Sequence, residues 1–342
     1  MKVLANGLIE RDVSLRSFNT FGVDVSAALF ARVRSVEDLQ RVMADRSVAG
    51  APLLTLGGGS NVLFTQDFDG CVLKVEMPGV QHDDDGTRWL VQVGSGENWH
   101  AIVEGLIEQN KPGLENLALI PGSVGAAPIQ NIGAYGVELA ERFERLQAWD
   151  FATQSLQTLT AEQCGFGYRD SVFKRANESR LIVNVTLALP RQWTPVTGYA
   201  DVVSELRDRN IKQPQPRDIF NAVVAIRRRK LPDPAAIGNA GSFFKNPVIS
   251  RQQRSALIER HPSLVSYDIG GGRYKLAAGW LIDACGLKGT VRGQAAVYER
   301  QALVLVNLGG ATGAEILALA REVQDAVRAK FGIELEPELR II

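Results

Sequence analysis

Short alternating and continuous apolar runs dominate the first half of the chain. Ala28–Val33 alternates as a half-buried strand does, and Leu53-Leu54-Thr55-Leu56 is a continuous run that fits a buried one. Cys71–Lys74, Trp89–Val93, Leu146–Asp150 and Leu181–Leu189 also have strand texture, with Asp84-Asp85-Gly86 expected to turn the chain between the first two. Helical spacing comes in between. Ser35 precedes an expected helix over Val36–Arg46, and Trp99–Gln109 places Ile102, Val103, Leu106 and Ile107 on one face. Strands, helices and glycine turns therefore alternate over 16–190, the pattern of an α+β (mixed α/β) nucleotide-binding domain.

The texture changes after Pro190-Arg191-Gln192-Trp193-Thr194-Pro195, which reads as a boundary. Helices are expected over Ile219–Lys230, halted by Leu231-Pro232-Asp233-Pro234, and over Ser250–Arg260 and Lys275–Cys285. Ala302–Val306 reads as a strand. Thr312 with Glu315 makes a capping box for a long helix ending near Phe331-Gly332. Glu334–Ile342 reads as a closing strand interrupted by Pro337. These elements predict three parts: a first domain over 1–190, a smaller α/β domain over 200–330, and a C-terminal strand over 331–342.

Two glycine-rich stretches break the periodicity. Gly57-Gly58-Gly59-Ser60-Asn61 follows the 53–56 strand. Three residues without Cβ let backbone N–H groups approach a bulky anion, and Ser60 and Asn61 add short donors. A tight strand-to-strand turn would use the same residues. No Gly-Lys-Ser/Thr follows, so this is not a P-loop, and the residues after Asn61 are too β-like to open a Rossmann helix. The second stretch, LIPGSVGAAPIQNIGAYGVE over 119–138, has little period and is long and apolar for a surface loop. Together the two stretches fit one extended dinucleotide held at two places. A shorter turn, Val93-Gly94-Ser95-Gly96-Glu97, lies between them.

Composition narrows the classes. The 342 residues carry 38 Lys+Arg and 38 Asp+Glu, a formal net charge of zero that argues against bulk capture of nucleic acid or anionic membrane. Hydrophobic content of 45% and charged content of 22% are ordinary for a globular protein. Cys71, Cys164 and Cys285 are far apart and lack metal spacing, which fits a reduced, cytoplasmic setting and no metal centre. The opening MKVLANGLIERDVSLR gains charge too early for a signal peptide or a membrane span, and Asn177-Glu178-Ser179 reads as a chance glycosylation match.

Several residues could carry chemistry. Ser242, in Gly238-Asn239-Ala240-Gly241-Ser242-Phe243-Phe244-Lys245-Asn246-Pro247, is either a turn residue or a hydroxyl held for proton transfer. It does not stand in a hydrolase elbow. Arg169, after Gly165-Phe166-Gly167-Tyr168, either pairs with a substrate carboxylate or forms a surface ion pair with Asp170. Glu336 and Glu338 sit in an apolar C-terminal run, where an inward carboxylate needs a partner. Arg227–Lys230 is either a solvated helix end or an anion site.

Taken in order, NTFG (19–22), GGGSNVL (57–63), GSGENWH (94–100), GLENLALIPGSVGAAPIQNIGAYGVE (113–138), FGYRDSVFK (166–174), KLPDP (230–234), GNAGSFFKNP (238–247), KLAAGWLID (275–283) and LEPELR (335–340) resemble the UDP-N-acetylenolpyruvoylglucosamine reductase (MurB) family. The match runs over nearly the whole chain, and the Tyr199 loop is similar to the family's type I branch. The resemblance implies a first domain of the vanillyl-alcohol-oxidase/PCMH flavin-binding type, made of two α/β subdomains, and a smaller substrate-binding domain.

It also implies NADPH-dependent reduction of UDP-N-acetylglucosamine enolpyruvate through FAD, in peptidoglycan precursor synthesis. Gly57, Gly58, Gly59, Ser60 and Asn61 would hold the diphosphate. Pro121, Gly122, Ser123, Gly125, Ile129 and Gly133 would follow the flavin. Hydride would reach the enolpyruvyl methylene carbon, Arg169 and Glu338 would stabilise the resulting enolate, and Ser242 would protonate the neighbouring carbon. Tyr199, Lys230 and Asn246 match substrate-contacting positions, and the 331–342 strand would return to the active site. A monomer acting on small molecules, without nucleic acid or membrane, is the implied setting. Two other classes compete: a flavin oxidase of the same fold acting on another hydroxyl substrate, and a non-enzymatic nucleotide or nucleic-acid binder using Arg227–Lys230.

Overall fold

The computed structural model describes residues 7–175 and 179–342, so the first residues of the apolar opening and Asn177-Glu178 of the sequon match lie outside the described residues. Two compact units share the chain discontinuously: Met1–Val13, Ala27–Gly59 and Phe68–Arg229 form the first, and Ser14–Ser26, Ser60–Asp67 and Lys230–Ile342 the second.

The first unit holds two sheets. One is four-stranded, in the order Ile9–Ser14, Ser26–Val33, Phe68–Val75, Leu53–Leu56. Its last two neighbour pairs are parallel. Parallel neighbours need a crossover, and the helix Val36–Met43 lies in that connection, capped by Ser35, whose Oγ accepts from the Asp38 N–H at 3.0 Å. Leu39 and Val42 from this helix pack with Leu29, Ala31, Val33, Leu73 and Val75 from the strands.

The other sheet has five antiparallel strands, in the order Ser155–Thr160, Phe143–Asp150, Arg180–Pro190, Arg88–Gly94, Val80–Asp84. The Asp84–Gly86 turn joins the edge strand Val80–Asp84 to its neighbour Arg88–Gly94 rather than linking the 71–74 and 89–93 runs, which lie in different sheets. The strand Val80–Asp84 is exposed along its whole length, so no alternation marks it.

The Trp99–Glu108 helix packs on this second sheet. So do Val202, Leu206, Ile219, Phe220, Val223 and Ile226, from the helices Ala200–Asp208 and Pro216–Lys230. The Pro190–Pro195 segment, read as a boundary, therefore lies inside the first unit, and the chain leaves that unit at Arg229.

The second unit is built around a four-stranded sheet in the order Gly238–Ser242, Val304–Asn307, Ala295–Val297, Val291–Arg292, with the long helix Gly313–Phe331 following. Both halves of the expected capping box are present: Glu315 N–H donates to Thr312 Oγ1 at 3.2 Å, and Thr312 N–H to the Glu315 carboxylate at 2.7 Å. Gly332 ends the helix at φ 67°. A Cβ on Gly313 would fall 1.7 Å from the Phe64 carbonyl oxygen, so the helix start lies directly on the 62–64 segment.

The run expected as one helix over Lys275–Cys285 divides. Arg273–Leu276 is the central strand of a three-stranded sheet, pairing with Val248–Ser250 and Ser266–Asp268, and only Ala278–Ala284 is helical. Pairing on both sides outweighs the local helical spacing. The C-terminal run is strand only at Arg340–Ile341, parallel to Val62–Leu63.

Candidate active site

Gly57 and Gly58 open the turn after Leu53–Leu56. A Cβ on Gly57 would meet Ser123 Oγ at 2.5 Å, and one on Gly58 would meet Gly122 Cα at 2.7 Å. The two glycine-rich stretches thus lie on each other, backbone against backbone. The short 94–98 turn joins them. Trp99 N–H donates to the Gly122 carbonyl at 3.1 Å, Val124 N–H to Glu97 at 2.9 Å, and Gly125 N–H to Ser95 at 2.9 Å. A Cβ on Gly125 would fall 2.4 Å from Ser95 Cβ.

This assembly contains two sealed hydroxyls, Ser95 Oγ and Ser123 Oγ, with no hydrogen-bond partner among the described residues. Buried hydroxyls are normally paired. A glycine-lined surface with small donors at its edge fits the phosphates and flat ring of a dinucleotide such as FAD.

Further along the second stretch the backbone is held in uncommon conformations. Asn131, Tyr135 and Arg169 have φ of 42°, 48° and 52°, left-handed values that cost non-glycine residues energy. Side chains fix them in place. Asn131 donates to Glu138 Oε2 at 2.9 Å and to the Gly167 carbonyl at 3.0 Å, and accepts from Ala140 N–H at 2.9 Å. Ser171 Oγ donates to the Ile129 carbonyl at 2.6 Å. The Arg169 guanidinium donates to the Gly133 carbonyl, so this residue is turned toward the second stretch.

Arg227, on the Pro216–Lys230 helix, hydrogen-bonds Tyr135, and its Nε is sealed without a partner. Burial pulls the Arg227 guanidinium below its ordinary range, and the neighbouring Arg169 charge adds to the effect. Burial likewise pushes the Tyr135 phenol up. Tyr199 meets the Tyr135 ring edge-on, with centroids 5.3 Å apart. Two arginines and two tyrosines therefore gather in the first unit. Helical spacing gave no sign that Arg227 would join them rather than remain on a solvated helix end.

The second unit brings Ser242, Glu338 and Asn61 together. Ser242 closes the Gly238–Ser242 strand opposite Val304, just after an irregularity where Gly241 has φ 69° and its N–H donates to Asn239 Oδ1 at 2.9 Å. The following residue, Phe243, is fully buried. Its carbonyl accepts from Glu338 N–H at 2.8 Å, while Lys245 N–H donates to the Glu336 carbonyl at 2.9 Å.

Pro337 sits between those two bonds, bridged to Phe244. The C-terminal run is thereby spent on 243–245 instead of forming one long strand. The two carboxylates separate. Glu336 is 72% exposed and pairs with Lys245 at 2.9 Å, whereas Glu338 is half-buried. Asn61 Nδ2 lies 3.5 Å from the Glu338 carbonyl, and Asn61 O accepts from Arg340 N–H at 3.0 Å. Asn246 Oδ1 accepts from Ala278 N–H at 2.9 Å, which leaves its amide NH₂ as the donor side. Lys230 ends the Pro216–Lys230 helix at the start of the second unit's C-terminal portion.

Comparison with known proteins decides what this arrangement belongs to. Residues 233–342 match the C-terminal domain model of UDP-N-acetylenolpyruvoylglucosamine reductase, and 27–159 match an FAD-binding domain model. The UDP-N-acetylenolpyruvoylglucosamine reductase of Burkholderia mallei is 58% identical over 332 residues, covering 96% of this chain and 95% of its own. The chain belongs to the UDP-N-acetylenolpyruvoylglucosamine reductase family.

The reductase of Burkholderia ambifaria is 57% identical over 333 residues, with the same coverage of 96% and 95%. Among solved structures, the Thermus caldophilus reductase superposes with a TM-score of 0.68 at 25% identity, covering 97% of this chain and 98% of that one. p-Cresol methylhydroxylase superposes with a TM-score of 0.50 at 12% identity, covering 95% and 83%, and shares the fold. The mixed α/β architecture with a flavin-binding domain of the PCMH type is therefore the family's own. Among the described residues no helix is long and apolar enough to cross a membrane.

Proposed function

We propose that the chain carries out its family's reaction, the NADPH-dependent reduction of UDP-N-acetylglucosamine enolpyruvate to UDP-N-acetylmuramate in peptidoglycan precursor synthesis, with its own residues in the following roles. The observation that carries this reading is the packing of Gly57–Gly58 on Gly122–Ser123, which makes one backbone-lined cradle from two distant segments. Bound FAD supplies a two-electron carrier that NADPH reduces and the enolpyruvyl ether reoxidises.

Gly57, Gly58, Gly59, Ser60 and Asn61 offer donors to the diphosphate. Pro121, Gly122, Ser123, Gly125, Ile129 and Gly133 follow the flavin. Arg169 presents a planar guanidinium to the substrate carboxylate as negative charge grows there. Arg227 supports the same anion from the neighbouring helix, since the neighbouring Arg169 and Arg227 charges and the sealed, unpartnered Arg227 Nε are relieved by a negative ligand. Glu338, half-buried beside the Ser242 strand, acts with Arg169 to stabilise the enolate form.

Ser242 donates a proton to the carbon next to the one that is reduced. Lys230 meets a phosphate of the UDP-sugar, the Asn246 amide donates to the substrate, and Tyr199 closes on it. The first domain holds the cofactor and the smaller one the UDP-sugar. The enzyme works as a cytoplasmic monomer on small molecules.

Two half-reactions test the assignment. Reduction of FAD by NADPH needs no proton from a serine, whereas reduction of the enolpyruvyl ether does. In Ser242→Ala the flavin bleaches with NADPH at close to the normal rate. Its reoxidation by the UDP-sugar then slows by about 10²–10⁴-fold, the range of general acid catalysis. Ser242→Cys retains part of the activity. Stopped-flow flavin absorbance resolves both steps, and normal reoxidation in Ser242→Ala removes the serine from the reaction.

A further inference from the structure

A lysine stands among the buried apolar residues of a parallel strand. Lys74 lies in Phe68–Val75, between the buried Leu73 and Val75, opposite Arg32 on one neighbour and Leu56 on the other. Its obvious partner is Glu76 on the same face, but Glu76 is taken by Arg32 at 2.5 Å and by Arg34 at 3.2 Å. Lys74 Nζ turns the other way and donates to the Gly57 carbonyl at 2.6 Å. Burial lowers the Lys74 ammonium below its ordinary range, Glu76 raises it again, and Arg32 opposes it. Holding a cation half-buried carries a cost, so the place it points to calls for a reason.

The reason lies in peptide geometry. There are no cis peptide bonds among the described residues, and in a planar trans peptide the C=O and the following N–H point in opposite directions. Fixing the Gly57 carbonyl toward Lys74 therefore fixes the Gly58 N–H away from it. Gly58 is exposed, and no turn or loop carbonyl among the described residues accepts its N–H. Between two glycines this peptide would otherwise flip at little cost. A flip would present a carbonyl oxygen to an anion instead of a donor.

We propose that Lys74 is a positioning residue for the cofactor's diphosphate: it locks the Gly57–Gly58 peptide so that the Gly58 N–H faces the phosphates. The inference rests on reading Gly57–Asn61 as the diphosphate loop. The ammonium also polarises the peptide it holds, which strengthens the N–H on the far side as a donor. Lys74 touches neither substrate nor the reacting atoms.

The test uses the full chain stripped of flavin and titrated with FAD or with riboflavin, which lacks the diphosphate. Lys74→Met keeps the stem and removes the donor. Its Kd for FAD rises roughly tenfold to a hundredfold, as loss of a hydrogen bond from a charged group predicts. Riboflavin binding and flavin-free thermal unfolding stay near wild type, and the ³¹P resonances of bound FAD shift. Lys74→Arg, which can still donate to the Gly57 carbonyl, recovers most of the affinity.

Unchanged FAD affinity and unchanged ³¹P resonances in Lys74→Met overturn the proposal, as does an equal loss for FAD and riboflavin, which would mark general damage. Gly58→Ala separates the two readings, because its Cβ would fall 2.7 Å from Gly122 Cα. If Gly58→Ala loses FAD while Lys74→Met does not, the cradle stands and Lys74 has no part in it. If Gly58→Ala binds FAD normally, the cradle reading itself falls.

Discussion

The candidate residues of the two units are made of different material. In the first unit the cradle is backbone, and its defining feature is the missing Cβ at Gly57, Gly58 and Gly125. In the second unit the candidate groups are side chains, Ser242, Glu338 and Asn246, set on a strand, a C-terminal segment and the stretch before the Val248–Ser250 strand, which are held in place for other reasons. A backbone site is damaged by adding atoms, and a side-chain site by removing them. The difference also separates holding from reacting. Glycine peptides can hold an anion without titrating, whereas a proton donor needs a hydroxyl on a fixed frame.

That contrast is broken most severely at Gly125. In Gly125→Ala the new methyl must displace Ser95, whose Cβ is 2.4 Å away and whose carbonyl takes the Gly125 N–H. The variant is expected to purify without flavin colour and to lose about 1–3 kcal/mol of stability, the usual cost of overpacking. Flavin absorbance per mole of protein and a denaturant titration check both.

An intermediate effect falls on Arg169, the side chain that reaches the backbone half. Arg169→Lys keeps the charge but loses the planar fork, so turnover at saturating substrate falls by about 10–100-fold, with weaker substrate binding as well. FAD content stays normal. Wild-type turnover in steady-state kinetics would place Arg169 outside the reacting centre.

The smallest effect sharpens the contrast from the other side. Gly105 lies inside the Trp99–Glu108 helix, and a Cβ there meets nothing within 4 Å. Gly105→Ala should leave FAD content and turnover unchanged and stabilise the protein by roughly 0.5–1 kcal/mol, seen in the denaturant midpoint.

Much of the backbone half was legible in the sequence, because a loop without Cβ announces itself as glycine. Its assembly was not. Nothing local tells Gly58 that it will lie on Gly122, since that contact is set by the strands and turns between them. Lys74 did leave a signal, a lone cation within CVLKVEM, but its partner is a carbonyl, and carbonyls carry no residue code. The strand Val80–Asp84 was invisible because both its faces meet water.

The Lys275–Cys285 run misled because its first residues pair on two sides with strands far away in sequence. In the second unit the capping box over 312–315 and the Gly332 stop were readable, being local chemistry. The separation of Glu336 from Glu338 depended on Pro337 and the 243–245 backbone, which no periodicity reports.

The interleaved order of the chain has a consequence for synthesis on the ribosome. Ser14–Ser26 and Ser60–Asp67 emerge early, yet the rest of their unit begins only at Lys230. Val62–Leu63 finds its strand partner in Arg340–Ile341, which is made long after it. Translation therefore delivers most of the first unit while the second still lacks its frame. Completion of the second unit waits for those later residues, with closure of the long loop between Leu63 and Arg340 as its entropic hurdle. Pulse-labelled nascent chains stalled before residue 340 would carry a protease-resistant first unit and a protease-sensitive 60–67 segment.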